Sequence, residues 1–475
     1  MKIDLKNLSI EKVHKHLTDG DFIVKDLVDA YLEVIKEKNT ELNAYLEIFY
    51  NDIQPQIEIA EKMFKDGTAT LMTGIPIAIK DNILFEGHIA SASSKMLENH
   101  TAVYDSFVIG KLKKEGVIIL GRTNMDEFAM GSSTETSAFG VTRNPYDTTR
   151  VPGGSSGGSA VAVASGMALV SLGTETCGSV RQPSSFCGLV GMKPTYGAIS
   201  RSGIIAMGSS LDQVGPMGKS VADVEILYNS ICGKDPLDST SLSDEFKSGF
   251  KQTPLKKKIG VPRDFLSGGG VSEEVLKNFE ESCEKLKKAG YQIVDVTSVT
   301  MKYSLAVYYI VMPAEVSSNL ARYDGIRYGF SIDAPNLYDV YAKSKGKGFG
   351  KEVRRRLLLG TYILSHGYYD AYYNKALKVR DMIAKELVAI FENVDAIISP
   401  TVPFTAFKLG DKMDDPMAMY MCDIFSAPAN LAGIPAMSIP GGMSKDGLPM
   451  GLQITAPYLR EDILFSIGKD FENVI

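Results

Sequence analysis

Residues 153–183 read GGSSGGSAVAVASGMALVSLGTETCGSVRQP. Two glycine- and serine-packed runs, Gly153 to Ser159 and Gly173 to Ser179, bracket a small-residue helix over 159–166 and a buried strand over 168–172. Upstream, residues 74–82 read GIPIAIKDN, a short apolar strand over 75–79 that ends at Lys80. Strand, glycine-rich turn, helix and strand in succession are the units of a layered α/β fold. The same alternation extends outward. Phe107 to Lys114 reads as a helix closed by Gly116 and followed by a strand over 117–120. A strand over 258–261 leads to a helix capped by Ser272, with Val275, Leu276, Phe279, Cys283 and Leu286 on one face; Gly290 ends it before a strand over 291–296. This rhythm predicts helices covering a largely buried sheet.

The flanks are read the same way. Ser9 caps a first helix, and Ile23, Leu27, Tyr31 and Ile35 give the segment 21–38 helical spacing. Residues 351–391 are mostly helical, with Gly360 and Gly367 as weak points, and 395–399 is a strand. Gly433, Pro435 and Pro440 make 430–440 loop and short strand. The best linker candidates are 235–258 and 268–270. Because the glycine-rich runs lie before residue 260 and plausible substrate residues after 350, one large domain over 1–475 is expected. Its parts are N-terminal helices over about 1–65, a core over about 74–221, and a remainder completing the sheet and the substrate pocket.

Composition narrows the function classes. The chain has 475 residues, 44% hydrophobic and 23% charged, ordinary for a soluble globular protein. A net charge of -6 argues against broad electrostatic binding of nucleic acid by this chain alone. Its five cysteines are scattered and never in a Cys-x-x-Cys pair, so neither a disulfide framework nor a zinc site is expected, and a reducing cytoplasm fits. There is no apolar signal segment and no run of about twenty apolar residues; the stretch 160–172 is broken by Ser165 and Gly166.

A serine hydroxyl is a weak nucleophile and needs a base. None of the five histidines (His14, His16, His88, His100, His366) lies in either glycine-rich run. A Ser-His-Asp triad stays open, but nothing points to one. A lysine serves if burial keeps it neutral. Lys80 follows Ile75, Ile77 and Ile79, which places its backbone inside the sheet; the plainer alternative is a lysine that ends a strand and reaches solvent. The alternatives for the glycine runs are a linker or a phosphate loop, but well-patterned apolar segments press on both sides and the Gly-Lys-Ser/Thr ending of a Walker loop is absent.

Taken together, these residues resemble the amidase signature family. The resemblance covers most of the chain and is densest over 74–221. It implies an α/β fold with a central twisted mixed β-sheet covered by helices on both faces, and a Ser-Ser-Lys triad. By this resemblance Ser179 is the nucleophile, Ser155 the bridging serine with a cis peptide bond before it, and Lys80 the base. The backbone amides of Thr176, Cys177, Gly178 and Ser179 form the oxyanion hole. The family commonly has aspartate and glycine where this chain has Glu175 and Cys177. Cys177 as the nucleophile is a further alternative, against a small buried residue.

Four more segments, NMDEFAMGSS at 124–133, LDQVGP at 211–216, DGIRYG at 324–329 and NLAGIP at 430–435, are similar to the glutaminase subunits of tRNA-dependent amidotransferases within that family. This resemblance implies glutamine as substrate, with Arg356 on its α-carboxylate, Asp423 on its α-ammonium and Tyr309 in the pocket wall. It implies a cytoplasmic heterotrimer with B and C subunits, and charged tRNA engaged through a partner. ATP and Mg are expected in that partner; no cofactor, metal or membrane is expected for this chain. Other readings remain. Arg354 to Arg356 could be a solvated charge run, and Asp423 could cap a helix starting near Ile424. The protein could be a stand-alone amidase acting on another amide, or a nucleotide-binding module.

Overall fold

The strand ending at Lys80 is buried along its whole length, and its surroundings explain why. The computed structural model describes residues 3–245, 254–267 and 270–474. Its strands are β1 (Tyr45–Ile48), β2 (Pro76–Lys80), β3 (Ile118–Thr123), β4 (Val170–Glu175), β5 (Val190–Lys193), β6 (Gln213–Gly218), β7 (Lys258–Val261), β8 (Gln292–Asp295), β9 (Ala396–Pro400), β10 (Ala436–Met443) and β11 (Pro449–Thr455). They form one 11-stranded sheet in the order β1-β3-β2-β4-β6-β5-β10-β11-β9-β7-β8. Every residue of β2, β3, β4, β5, β6 and β9 is buried, which requires cover on both faces. The helices Gly157–Ala164, Val221–Ile231, Glu273–Lys288 and Glu461–Glu472 supply much of it. The result is a single large α/β domain around a mixed sheet. β3, β2 and β4 run parallel, the middle is antiparallel, and β9, β7 and β8 run parallel again.

Several elements match the sequence reading residue for residue. The helix Phe107–Lys114 and strand β7 do so, and Ser9 and Ser272 both cap their helices through their hydroxyls. Other expectations are corrected. The N-terminal segment is not helical throughout: β1 interrupts it and pairs antiparallel with β3. Ile23 is the N-cap of the helix Val24–Leu42 and is exposed, so the buried face begins one residue later. Around 430, a short helix, Ala427–Ala432, precedes the eight-residue β10. Pro440 is tolerated in β10 because the ladder shifts register between Pro440 and Gly442, a bulge where a missing N–H costs little. The described half of the expected linker is tied down. Ser200 Oγ donates to Asp235 (2.5 Å), and Arg201 N–H to Asp238 (2.9 Å). Residues 246–253 and 268–269 lie outside the described residues.

Gly360 is not a weak point. It sits inside the helix Lys351–Ile363, whereas Gly367, with φ of 85°, lies in the turn between that helix and the helical segment Tyr369–Asn374. A Cβ at Gly360 would fall 1.9 Å from the Pro313 carbonyl oxygen of the neighbouring helix Ser304–Asn319. The missing side chain lets these two helices approach. Gly360→Ala is therefore expected to destabilise the fold by about 1–3 kcal/mol, the usual effect of overpacking. Chemical denaturation of the variant checks it; an unchanged midpoint would mean that this crossing does not need its glycine.

Candidate active site

Parallel pairing of β2 with β4 and β3 brings the C-terminal ends of these strands to one edge of the sheet. Such edges are where α/β sheets collect their functional groups. Lys80 closes β2 there, with no solvent exposure. Its Nζ lies 2.8 Å from Ser155 Oγ and donates to the Thr174 carbonyl at 3.0 Å. The reading of Lys80 as a solvent-reaching strand end is thus corrected. Burial brings its pKa down to about 7, while the carboxylates of Asp126, Asp212 and Glu175 pull it back up.

Ser155 follows a cis peptide bond after Gly154 and is itself fully buried. The next residue stitches the two glycine-rich runs together. Ser156 Oγ donates to the Thr174 carbonyl (3.1 Å), and Ser156 N–H donates to the Ser179 carbonyl (3.1 Å). Ser179 is therefore held next to the first run through its backbone. Its hydroxyl makes no hydrogen bond to Ser155 among the described residues.

The loop carrying Ser179 is shaped by a buried ion pair. Glu175 accepts the N–H groups of Val180 (3.1 Å) and Arg181 (3.2 Å), and the Arg181 guanidinium (2.9 Å from Nε). Burial raises the Glu175 pKa, but the charge and hydrogen bonds of Arg181 outweigh it and hold the carboxyl at about 2. Arg181 also reaches Gln453 Oε1 (2.6 Å) and Asn430 Oδ1, and Asn430 donates to the Thr176 carbonyl (2.8 Å). Thr176 Oγ1 is anchored on Asp212 (2.7 Å). Between these anchors, the N–H groups of Cys177, Gly178 and Ser179 donate to no protein acceptor among the described residues. Gly178 has φ of 82°, and a Cβ there would sit 2.7 Å from Ser426 Oγ and 3.3 Å from Asp423 Oδ1. Burial pushes the Cys177 thiol well up, so it stays protonated and is a poor nucleophile.

Arg356 and Asp423 lie on the other side of this loop. Of the three consecutive arginines, Arg354 is exposed and Arg356 is buried, so the solvated-run reading fails for the residue that matters. The Arg356 guanidinium sits 5.6 Å from the ring centres of both Tyr309 and Tyr420, which stack on each other at 3.8 Å. Tyr309 donates its hydroxyl to Asp423 Oδ2 (2.7 Å). That carboxylate is thus occupied by a side chain across the site and does not cap a helix. Burial raises the Asp423 pKa to about 7, against the Tyr309 hydroxyl and the Arg356 charge. A cavity of about 240 Å³ is lined by Glu127, Ser133, Glu352, Arg356, Lys412 and Tyr420 among others. Its lining stops short of Lys80, Ser155 and Ser179; Tyr309 and Asp423 lie between.

No histidine contacts either serine. His88 lies against Asp52 (3.0 Å) and His16 against Asp21 (2.6 Å). Among the described residues no group of three or more His, Cys, Asp or Glu is arranged to hold a metal ion, and no helix is long and apolar enough to cross a membrane.

The family model for Amidase matches residues 26–465. The chain belongs to the amidase family. Relatives named as the A subunit of glutamyl-tRNA(Gln) amidotransferase include that of Clostridium botulinum (strain Kyoto / Type A2), 49% identical over all of this chain and 98% of that protein. The crystal structure of the protein of that name from Thermotoga maritima is 39% identical, with a TM-score of 0.81 over 100% of this chain and 96% of that one. A peptide amidase from Stenotrophomonas maltophilia is 27% identical, with a TM-score of 0.82 over 99% and 97%.

Sequence reasoning missed four residues of this amidase site: Asp126, Arg181, Glu352 and Tyr420. Asp126 gathers the N–H groups of Ser133 (3.2 Å) and Thr134 (2.9 Å) and donates its own to the Ser155 carbonyl (3.2 Å). It stands in the 124–133 motif, where the sequence assigns it no role. Arg181 follows Ser179 by two positions, and Glu352 precedes Arg356 by four, the spacing that pairs side chains on a helix. Tyr420 gave no signal.

A buried amine with a lowered pKa opposes folding, and the sign is fixed by linkage. The unfolded lysine holds its proton up to about 10.5, the folded one only to about 7. Between these values the unfolded state binds more protons, so Lys80 destabilises least at high pH. The stability of Lys80→Met relative to the parent is expected to fall from pH 7 to pH 10, by at most about 1.4 kcal/mol per pH unit. Denaturation curves across that range check it, and a pH-independent difference would contradict a neutral amine.

Proposed function

We propose that this chain is the glutaminase subunit of a glutamyl-tRNA(Gln) amidotransferase. In this reading it releases ammonia from glutamine and hands it to a partner protein. That partner uses ATP and Mg to convert Glu-tRNA(Gln) to Gln-tRNA(Gln). The assembly would be a cytoplasmic heterotrimer with B and C subunits, which hold the charged tRNA. The observation that carries the chemistry is the 2.8 Å contact between the buried Lys80 amine and Ser155. The substrate assignment rests on Arg356 and Asp423 and on the names of full-length relatives.

The steps follow from the groups present. A neutral Lys80 amine keeps two N–H bonds and one lone pair. One N–H serves the Thr174 carbonyl, which leaves the lone pair for the Ser155 proton. Ser155 Oγ in turn takes the proton of Ser179, once substrate draws the two hydroxyls together. Ser179 Oγ attacks the side-chain amide carbon, and the amides of Thr176, Cys177, Gly178 and Ser179 receive the oxyanion. The proton returns through Ser155 to the leaving nitrogen, and ammonia departs. Water, deprotonated by the same relay, cleaves the glutamyl ester. Arg356 would hold the α-carboxylate and Asp423 the α-ammonium, with Tyr309 as wall. Arginine suits a carboxylate because its planar fork matches both oxygens.

Ammonia release from glutamine by the complex is the direct test. Ser179→Ala should abolish it while leaving the heterotrimer intact. Lys80→Arg should lower it by about a thousandfold or more, since arginine never yields its proton at working pH and general-base help typically contributes 10²–10⁴. Retained activity in either variant would reassign the role. Turnover of simple aryl or fatty amides with none of glutamine would favour a stand-alone amidase instead.

The pH profile gives an independent check. Lys80 must be neutral to act, and its pKa is held at about 7; Asp423 must be ionised to bind an ammonium, and its pKa is also raised to about 7. Both conditions are lost as pH falls. We expect kcat/KM to fall below pH 7 and to level off above pH 8. A profile flat from pH 6 to pH 9 would remove the lysine base.

A further inference from the structure

Arg356 is held by a residue that the function above leaves unused. Glu352 lies one helical turn before it on the helix Lys351–Ile363. Its Oε1 accepts Arg356 Nε–H at 2.8 Å and the Tyr420 hydroxyl at 3.2 Å, and its Oε2 takes Arg355. Tyr420 stacks on Tyr309, and Tyr309 bonds Asp423. One carboxylate therefore fixes both the guanidinium and the ring pair beside it.

The geometry of the fork gives this consequence. A guanidinium can meet a carboxylate along its Nε side or across its two Nη groups. Glu352 occupies the Nε side. Of the remaining donors, Nη1 has a long contact to Met312 Sδ at 3.7 Å, and Nη2 has no partner among the described residues. Arg356 is buried yet lines the 240 Å³ cavity, a ligand-sized space beside its guanidinium. Without Glu352, Arg356 could rotate about its long stem. A bound carboxylate would then find the donors only part of the time.

We propose that Glu352 is a positioning residue that aims the Nη edge of Arg356 at the α-carboxylate of the substrate and so sets selectivity for an amide that carries one. This rests on the reading of Arg356 as the carboxylate ligand. Glu352 does not touch the reacting amide, and its loss should spare the chemical step.

The test compares glutamine with 4-aminobutanamide, which keeps the side-chain amide and the ammonium but lacks the α-carboxylate, in the assembled complex. The parent enzyme should prefer glutamine strongly. In Glu352→Ala, KM for glutamine should rise about tenfold or more, the scale of one charge-assisted hydrogen bond, with kcat within about twofold. Its kcat/KM on 4-aminobutanamide should fall far less than that on glutamine, so that the preference shrinks. Glu352→Gln keeps an oxygen to accept Arg356 Nε–H, and it should restore KM to within about threefold of the parent. A general packing defect would lower kcat on both substrates and would not be repaired in Glu352→Gln. The inference is overturned if Glu352→Ala keeps the parental KM and preference, or if Glu352→Gln is as damaged as Glu352→Ala. If the parent enzyme itself shows no preference between the two amides, the Arg356 reading falls, and this inference with it.

Discussion

An amine with no access to water, 2.8 Å from a serine hydroxyl, is the constraint around which this molecule is arranged. Taking an ammonium out of water is costly, and a protein ordinarily avoids it by leaving lysine at the surface. Here the backbone leaves no such route. Lys80 is the last residue of a strand flanked on both sides by parallel neighbours, and helices close both faces. Losing the proton relieves the penalty, and a neutral amine is what a hydroxyl needs beside it. The burial that weakens the fold is therefore also what leaves the amine able to accept a proton.

Burial alone would drive the amine further down. Three carboxylates hold it near 7. Each of them is hydrogen-bonded to a segment that bears or flanks Ser155, Ser179 or Thr176. Asp126 gathers the loop next to Ser155, Glu175 with Arg181 shapes the turn before and after Ser179, and Asp212 anchors Thr176. The groups that place the backbone are thus the groups that tune the lysine. A change in any of them would move geometry and proton affinity together, which makes the usual separation of structural from electrostatic residues a poor guide here.

Much of this was legible from the chain. The apolar run before Lys80, the small-residue helix between two glycine runs and the capped helix after Ser272 all carry local signals, and they appear within a few residues of their expected places. What could not be read is long-range. β1 hides in four residues between helices and is defined only by its partner strand. The partners of Arg181 come from residues 175, 426, 430 and 453, and no spacing rule connects them. The resemblance implied a ligand role for Arg356, but spacing alone left it open to being the third member of a solvated run, and packing against Tyr309 and Tyr420 distinguishes it from Arg354. The expectation that Gly360 weakens its helix failed for the same kind of reason. Its intrinsic propensity is poor, but the crossing with a second helix overrides it.

The two halves of the site have different origins in the chain. Lys80, Ser155 and Ser179 lie on β2 and on the turns around β4; Tyr309, Arg356 and Asp423 come from helices and turns beyond residue 300. One continuous sheet joins these regions, through the antiparallel pairing of β5 with β10. The halves meet in a shared apolar core and, at the second glycine-rich run, through polar groups: Asp423 close to Gly178, and Asn430 and Gln453 on Arg181. The distance between Ser179 and the residues beyond 300 is thus tied to the same Glu175–Arg181 pair whose carboxylate acts on the Lys80 amine. Because Lys80, Ser155 and Ser179 come from one set of elements and Tyr309, Arg356 and Asp423 from another, the second set can vary around the first. That fits a family whose members here include both a peptide amidase and proteins named as parts of an amidotransferase.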